Sequence, residues 1–194
     1  MSETTLFWSP KGGSGTSTVA VAYALEIGVD IADCAKQNDL AAILGLATDP
    51  ADDAVTPIKA AGLVDLYGPK APWNGTTNLV MDAGVMPHPV VVQGADTAIV
   101  VIRGDYLALR RLMKDGNAIE SLKLSKGIVL LVEPSRALGA SEVADVAGKP
   151  VLAKIPVTGN IARAIDAGVF ANRRPDELRR PIQQLARTLG QLVG

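Results

Sequence analysis

Short apolar runs recur along the chain, separated by stretches with helical spacing or room for a helix. Six stand out: Leu6–Trp8, Val29–Ala32, Asn78–Met81, Ala98–Ile102, Ile128–Val132 and Val151–Ile155. Several are continuous rather than alternating, the pattern of strands buried on both faces. Strand-like runs alternating with helical stretches predict parallel strands joined by crossover helices. The expectation is an α/β fold: a single doubly wound domain over residues 1–194, mostly parallel, with helices on both faces. Ligands in such sheets bind outside the carboxyl ends of the strands, near a topological switch point. The first run ends in a glycine-rich loop, followed by a predicted helix from Ser17 to Leu25. The region Asp49–Trp73 carries Pro50, Pro57, Pro69 and Pro72, and the spacing predicts one helix over Thr56–Tyr67 flanked by loops. Near the end, Leu178, Ile182, Leu185, Leu189 and Leu192 form a stripe at helical spacing, which predicts a helix docked on the core.

Composition narrows this picture. Apolar residues make up 48% of the 194 residues and aromatics only 4%, so the core must be aliphatic. The length suits one domain with a substantial core. A net charge of −1 excludes a globally basic nucleic-acid binder but permits a local patch. The single Cys34 cannot form an intramolecular disulfide, which fits a reducing, cytoplasmic setting. The first residues lack a basic region followed by an apolar stretch, and no apolar run approaches about 18 residues, so neither a signal peptide nor a membrane span is expected.

The candidate chemistry centres on Lys11-Gly12-Gly13-Ser14-Gly15-Thr16-Ser17-Thr18, between a strand and a helix. Backbone N–H groups converge in such a loop, and the helix dipole adds partial positive charge, which makes an anion cradle. The general P-loop reads G-x-x-x-x-G-K-[ST]; here Pro10 replaces the first Gly and Thr16 replaces the Lys. The stretch resembles the deviant P-loop of the ParA/MinD family, K-G-G-x-G-K-[ST]-[ST], at every position except Thr16. The resemblance implies a P-loop NTPase-like fold that binds ATP or ADP with Mg²⁺ through Lys11–Thr18. It also implies that Lys11 reaches across a dimer interface to the partner's nucleotide and that Ser17 ligates Mg²⁺. The ammonium missing at Thr16 would have contacted the β- and γ-phosphates and stabilised transition-state charge.

Further along, Asp33-Cys34-Ala35-Lys36-Gln37-Asn38-Asp39 resembles the family's switch I, D-x-D-P-Q-G-[ND]. Asp33 falls on the first Asp, a tentative catalytic or outer Mg²⁺ position. Ala35 falls on the second, which orients or activates the attacking water and which a methyl group cannot replace. The helix before this segment is about five residues shorter than the family's usual one. Asn78-Leu79-Val80-Met81-Asp82-Ala83-Gly84 resembles the Walker B strand and switch II, which implies Asp82 holding Mg²⁺ through a water. The segment Ala153–Gly168 resembles the family's late strand-loop-helix, which puts Pro156 and Val157 beside a purine. The likeness runs from Leu6 to about Gly168 and is loose from Asp49 to Trp73.

Partner surfaces are less defined. Arg103, Arg110, Arg111 and Lys114 lie on or beside one helix, and Arg173, Arg174, Arg179, Arg180 and Arg187 cluster near the end. A solvated basic face is the plain reading; non-specific DNA binding through Arg173, Arg174, Arg179 and Arg180 is the functional one. A membrane-surface helix like the one that ends MinD is the lesser reading of the last stripe, since its polar face is only moderately basic and Pro181 interrupts it. His88, between Pro87 and Pro89, has no neighbouring metal-ligating residue in sequence. The resulting expectation is a ParA/MinD-like partitioning or positioning factor with degenerate catalytic residues. It would act as a homodimeric scaffold or weak nucleotide switch, recruiting DNA or an unidentified protein, with no membrane partner. The alternatives are an active ATPase in which Lys11 replaces the missing ammonium, and an ATP-independent DNA-binding or scaffold protein.

Overall fold

All six apolar runs become strands of one eight-stranded sheet in the computed structural model, which describes residues 3–50, 56–60, 63–69 and 78–190. In chain order the elements are β1 (Thr4–Ser9), α1 (Thr16–Ile27), β2 (Asp30–Asp33), α2 (Leu40–Leu44), β3 (Ile58–Ala60), β4 (Val64–Tyr67), β5 (Leu79–Val85) and α3 (Pro89–Gln93). They continue with β6 (Thr97–Arg103), α4 (Tyr106–Lys114), α5 (Gly116–Leu124), β7 (Gly127–Val132), α6 (Ala140–Ala147), β8 (Val151–Pro156), α7 (Gly159–Asp166) and α8 (Asp176–Thr188). The strand order is β3-β4-β2-β5-β1-β6-β7-β8, parallel throughout except for the antiparallel β3–β4 pair.

The period of two along each strand sorts the core into two layers. Phe7, Ile31, Val80, Ile99, Val101, Val129 and Leu131 point to one face, where α1, α2, α7 and α8 cover them. Leu6, Trp8, Ala32, Val100, Ile102 and Leu130 point to the other, against α3, α4, α5 and α6. Because β1 lies between β5 and β6, the chain leaves it to one side and returns later to the other, which opens a crevice at its carboxyl end. The glycine-rich loop occupies that crevice.

The expected helix over Thr56–Tyr67 is corrected to a β-hairpin, β3 with β4. Val64 and Leu66 are buried while Asp65 and Tyr67 are only half-buried, a period of two that a helix cannot satisfy. Pairing Ile31 with Leu66 gives β4 a place beside β2 that local spacing does not disclose. The last stripe forms a helix as expected: Leu178, Ile182 and Leu185 are buried in α8, which continues through Pro181, and Leu192 lies outside the described residues. Among the described residues no helix is long and apolar enough to cross a membrane.

Candidate functional site

The loop after β1 is pinned by its own hydroxyls. Ser9 Oγ and Ser14 Oγ both donate to the Lys11 carbonyl, at 3.1 and 2.7 Å. Gly15 then enters α1 with φ +73°, and a Cβ there would lie 2.7 Å from Leu131 Cδ1. Only glycine meets both demands at once. The first N–H groups of α1 have no intrahelical acceptor and face the crevice with the positive end of the helix dipole. The resulting hollow is about 310 Å³ and is lined by Gly12–Thr18, with Ala35, Gln37 and Asp39 from the loop after β2, Gly84 after Asp82, and Arg103. A second, apolar slot of about 170 Å³ adjoins it, walled by Leu131, Ile155, Pro156, Val157, Ile161 and Ile165. Gly15, Thr18 and Arg103 line both.

The acidic residues take different roles. Asp33 and Asp82 are register partners on β2 and β5. Asp33 is 1% exposed, and its two oxygens accept from Ala35 N at 3.2 Å and Leu40 N at 3.1 Å. These two bonds let the carboxylate close the loop between β2 and α2. Burial pushes its pKa up to about 6, with the charge of Asp82 adding and the two N–H groups opposing. A carboxyl group held protonated in the folded state favours folding at low pH. The unfolded chain binds fewer protons between about pH 4 and 6, so stability should fall as pH rises through that window, by about 3 kcal/mol at most. Urea midpoints for wild type and Asp33→Asn across pH 4–7 check this; the variant should lose the slope, and an unchanged slope would assign it elsewhere.

Asp82 is fully buried, and its Oδ1 accepts from Gly84 N at 2.9 Å. Its Oδ2 is buried with no hydrogen-bond partner. Burial raises its pKa, with the Ser17 hydroxyl and Gly84 N–H opposing. An orphaned carboxylate oxygen beside a hydroxyl suits a hydrated divalent cation, since leaving it unsatisfied costs free energy. Among the described residues no cluster of three or more His, Cys, Asp or Glu could hold a metal alone. A cation here would therefore share its ligands with a phosphate, as Mg²⁺ commonly does. Gly84 has φ +64°, and a Cβ on it would lie 2.9 Å from Ala35 Cβ, so Ala35 packs directly against the segment after Asp82.

Lys11 is not in the hollow's lining. Its Nζ pairs with Asp105 Oδ2 at 3.2 Å, while Asp105 Oδ1 caps α4 by accepting from Ala108 N at 2.8 Å. Burial alone would raise the Asp105 pKa, but the Ala108 N–H and Lys11 outweigh it and the net shift is downward. In this chain the Lys11 ammonium is therefore engaged by a carboxylate of its own chain. Thr16 is buried and contributes no charge.

The four arginines of the expected DNA surface differ in exposure. Arg174 turns inward, donating to the Ala22 carbonyl at 3.1 Å and pairing with Glu26 at 3.6 Å, and burial lowers its pKa. Arg179 and Arg180 share the exposed carboxylate of Asp176, and Arg173 is exposed. His88 caps α3, its Nδ1 accepting from Val90 N at 3.3 Å. Cys34 is half-buried, and burial with nearby Asp33 and Asp82 pushes its thiol up to about 12, so it stays protonated.

Sequence reasoning missed Asp105 and the hydroxyl of Ser9, and it grouped Arg103 with a helix-borne patch. An Asp following a strand and preceding a helix is a capping signal that could have flagged Asp105. Arg103 ends β6, the strand edge at which ligands bind in such sheets.

Strand order, glycine-rich loop and site together define the ParA/MinD fold. Among solved structures, the MinC:MinD cell division protein complex of Aquifex aeolicus superposes with a TM-score of 0.76 at 16% identity, covering 100% of this chain and 98% of that one. The septum site-determining protein MinD of Pyrococcus horikoshii, complexed with Mg-ADP, gives 0.74 at 18%, covering 97% and 96%. A ParA family ATPase from Chlorobium tepidum gives 0.75 at 17%, covering 97% and 98%. No family model and no curated protein matches the chain.

Proposed function

We propose that this chain is a ParA/MinD-like partitioning or positioning factor with degenerate catalysis, a dimeric scaffold or weak nucleotide switch that recruits DNA or a protein partner. The observation that carries the reading is the meeting of the polar hollow and the apolar slot at Gly15 and Thr18. A nucleotide would lay its phosphates on Gly12–Thr18 and its base against Pro156 and Val157. Ser17 and Asp82 are the residues that would hold Mg²⁺, which neutralises phosphate charge when bound. The Mg-ADP complex of a MinD with the same fold supports this reading, and the MinC:MinD complex supports a protein partner.

Three features argue against efficient turnover. Thr16 offers no ammonium, Ala35 offers no carboxylate to position water, and Lys11 is held by Asp105. The pair to Asp105 weighs equally against an ATPase in which Lys11 takes over, because Lys11 would first have to leave a buried carboxylate. Calorimetry with Mg-ADP and Mg-ATP, alongside mass measurement in solution, tests the reading. Expected is binding in the micromolar to millimolar range, about −8 to −4 kcal/mol, with negligible phosphate release. Turnover abolished by Lys11→Ala would instead establish the active ATPase. Absence of nucleotide binding together with salt-sensitive DNA retardation would establish the ATP-independent module.

A further inference from the structure

We infer that Arg103 is the cation that engages the polyphosphate chain of a bound nucleoside diphosphate or triphosphate in this protein; the inference rests on the nucleotide reading above. Among the described residues, Arg103 is the only cationic side chain in the lining of the phosphate hollow, and it also lines the apolar slot. A nucleotide spanning both must pass it where the base-bearing end meets the first phosphates. The residue ends β6, in register with Leu131 on β7, so its Cα is fixed by a parallel ladder rather than by a loop. Its side chain is 31% exposed, and one terminal nitrogen, Nη1, donates to Glu133 Oε1 at 2.5 Å. Glu133 also accepts from Arg136 Nε at 2.8 Å, so one carboxylate is divided between two guanidinium groups. Arg103 Nε is buried with no hydrogen-bond partner. A guanidinium anchored through one terminal nitrogen and lining the hollow is suited to a phosphate oxygen, and its planar fork makes bidentate contacts that a lysine cannot.

The arrangement also explains how the cradle keeps positive charge without an ammonium at Thr16 and with Lys11 drawn off to Asp105. Charge would be delivered from the sheet side, at the junction, so it would favour diphosphate and triphosphate alike.

Titration of Mg-ADP by calorimetry into wild type, Arg103→Ala, Arg103→Lys and Glu133→Gln tests the assignment, with melting curves to confirm folding. Arg103→Ala should bind about tenfold to hundredfold more weakly, the range for a lost charge-assisted hydrogen bond. Arg103→Lys should recover part of the loss, and Glu133→Gln, which keeps an acceptor for Nη1, should lose less than Arg103→Ala. On adding Mg-ADP to the wild-type protein, the ¹H–¹⁵N signal of Arg103 Nε–H should shift. Equal affinity in wild type and folded Arg103→Ala would overturn the inference while leaving the nucleotide reading intact. A loss in Glu133→Gln as large as in Arg103→Ala, with no shift of the Nε–H signal, would also overturn it by making Arg103 a structural brace. A wild type that binds no nucleotide would overturn both.

Discussion

Gly15→Val is expected to abolish nucleotide binding and to lower the unfolding free energy by about 3 kcal/mol or more. Two independent penalties combine. At φ +73° a non-glycine residue suffers steric strain of about 1–2 kcal/mol, and a β-branched one suffers more. The new Cβ would lie 2.7 Å from Leu131 Cδ1, and the valine methyls would press further. Leu131 is part of the core and walls the apolar slot, so pushing it aside closes the slot while straining the sheet. Overpacking of this kind typically costs about 1–3 kcal/mol. Gly12→Ala makes a fair control for stability alone, since a Cβ there meets nothing within 4 Å although the residue itself lines the phosphate hollow. Urea denaturation and titration with a fluorescent ADP analogue measure both effects. Should Gly15→Val match wild type in midpoint and affinity, the described entry of the loop into α1 would be wrong.

The sequence disclosed the parts of this molecule that are written locally. Ala98–Ile102 and Ile128–Val132 read as strands because burial on both faces leaves no polar position to interrupt them. The cradle was visible because its glycines, its hydroxyls and the helix after it are contiguous. The hairpin was not visible. Each of its strands is only three or four residues long, and its stability comes from β2, distant in the chain. Nor was the fate of Lys11. Its partner Asp105 is 94 residues away, and nothing in Lys-Gly-Gly-x-Gly announces that pairing. Arg103 illustrates the same limit from the other side. Its composition suggested a basic face, whereas its position at the end of a central strand turns it toward the crevice. Chemistry that depends on which strand ends meet is legible only once the sheet order is known.

Thr16→Lys is expected to tighten Mg-ATP binding by about a hundredfold, with a smaller gain for Mg-ADP. The residue is at the first position of α1, and its side chain lines the hollow beside Ser17. A lysine stem from that position carries an ammonium across the hollow toward the terminal phosphates, where it gains a charge-assisted contact in a partly dry site. The ammonium can compensate the nearby acidic pair, Asp82 buried without a partner on Oδ2 and Asp39 exposed in the lining, so the substitution should be tolerated. On the proposed reading hydrolysis should remain slow in this single variant, because Ala35 offers no carboxylate to position water. Adding Ala35→Asp should raise turnover by about 10²–10³-fold over Thr16→Lys alone, the scale on which one preorganised stabilising group contributes. Ala35 lines the hollow, the side on which an added carboxylate would find room. Calorimetry reads the first step and phosphate release the second. If Thr16→Lys leaves ATP affinity unchanged in a folded protein, the loop does not present Thr16 where a P-loop presents its lysine. If affinity rises but the double variant stays inert, the proposed dimer reading points to Lys11, still paired with Asp105, as the missing element. Releasing it with Asp105→Asn would then be the decisive third substitution.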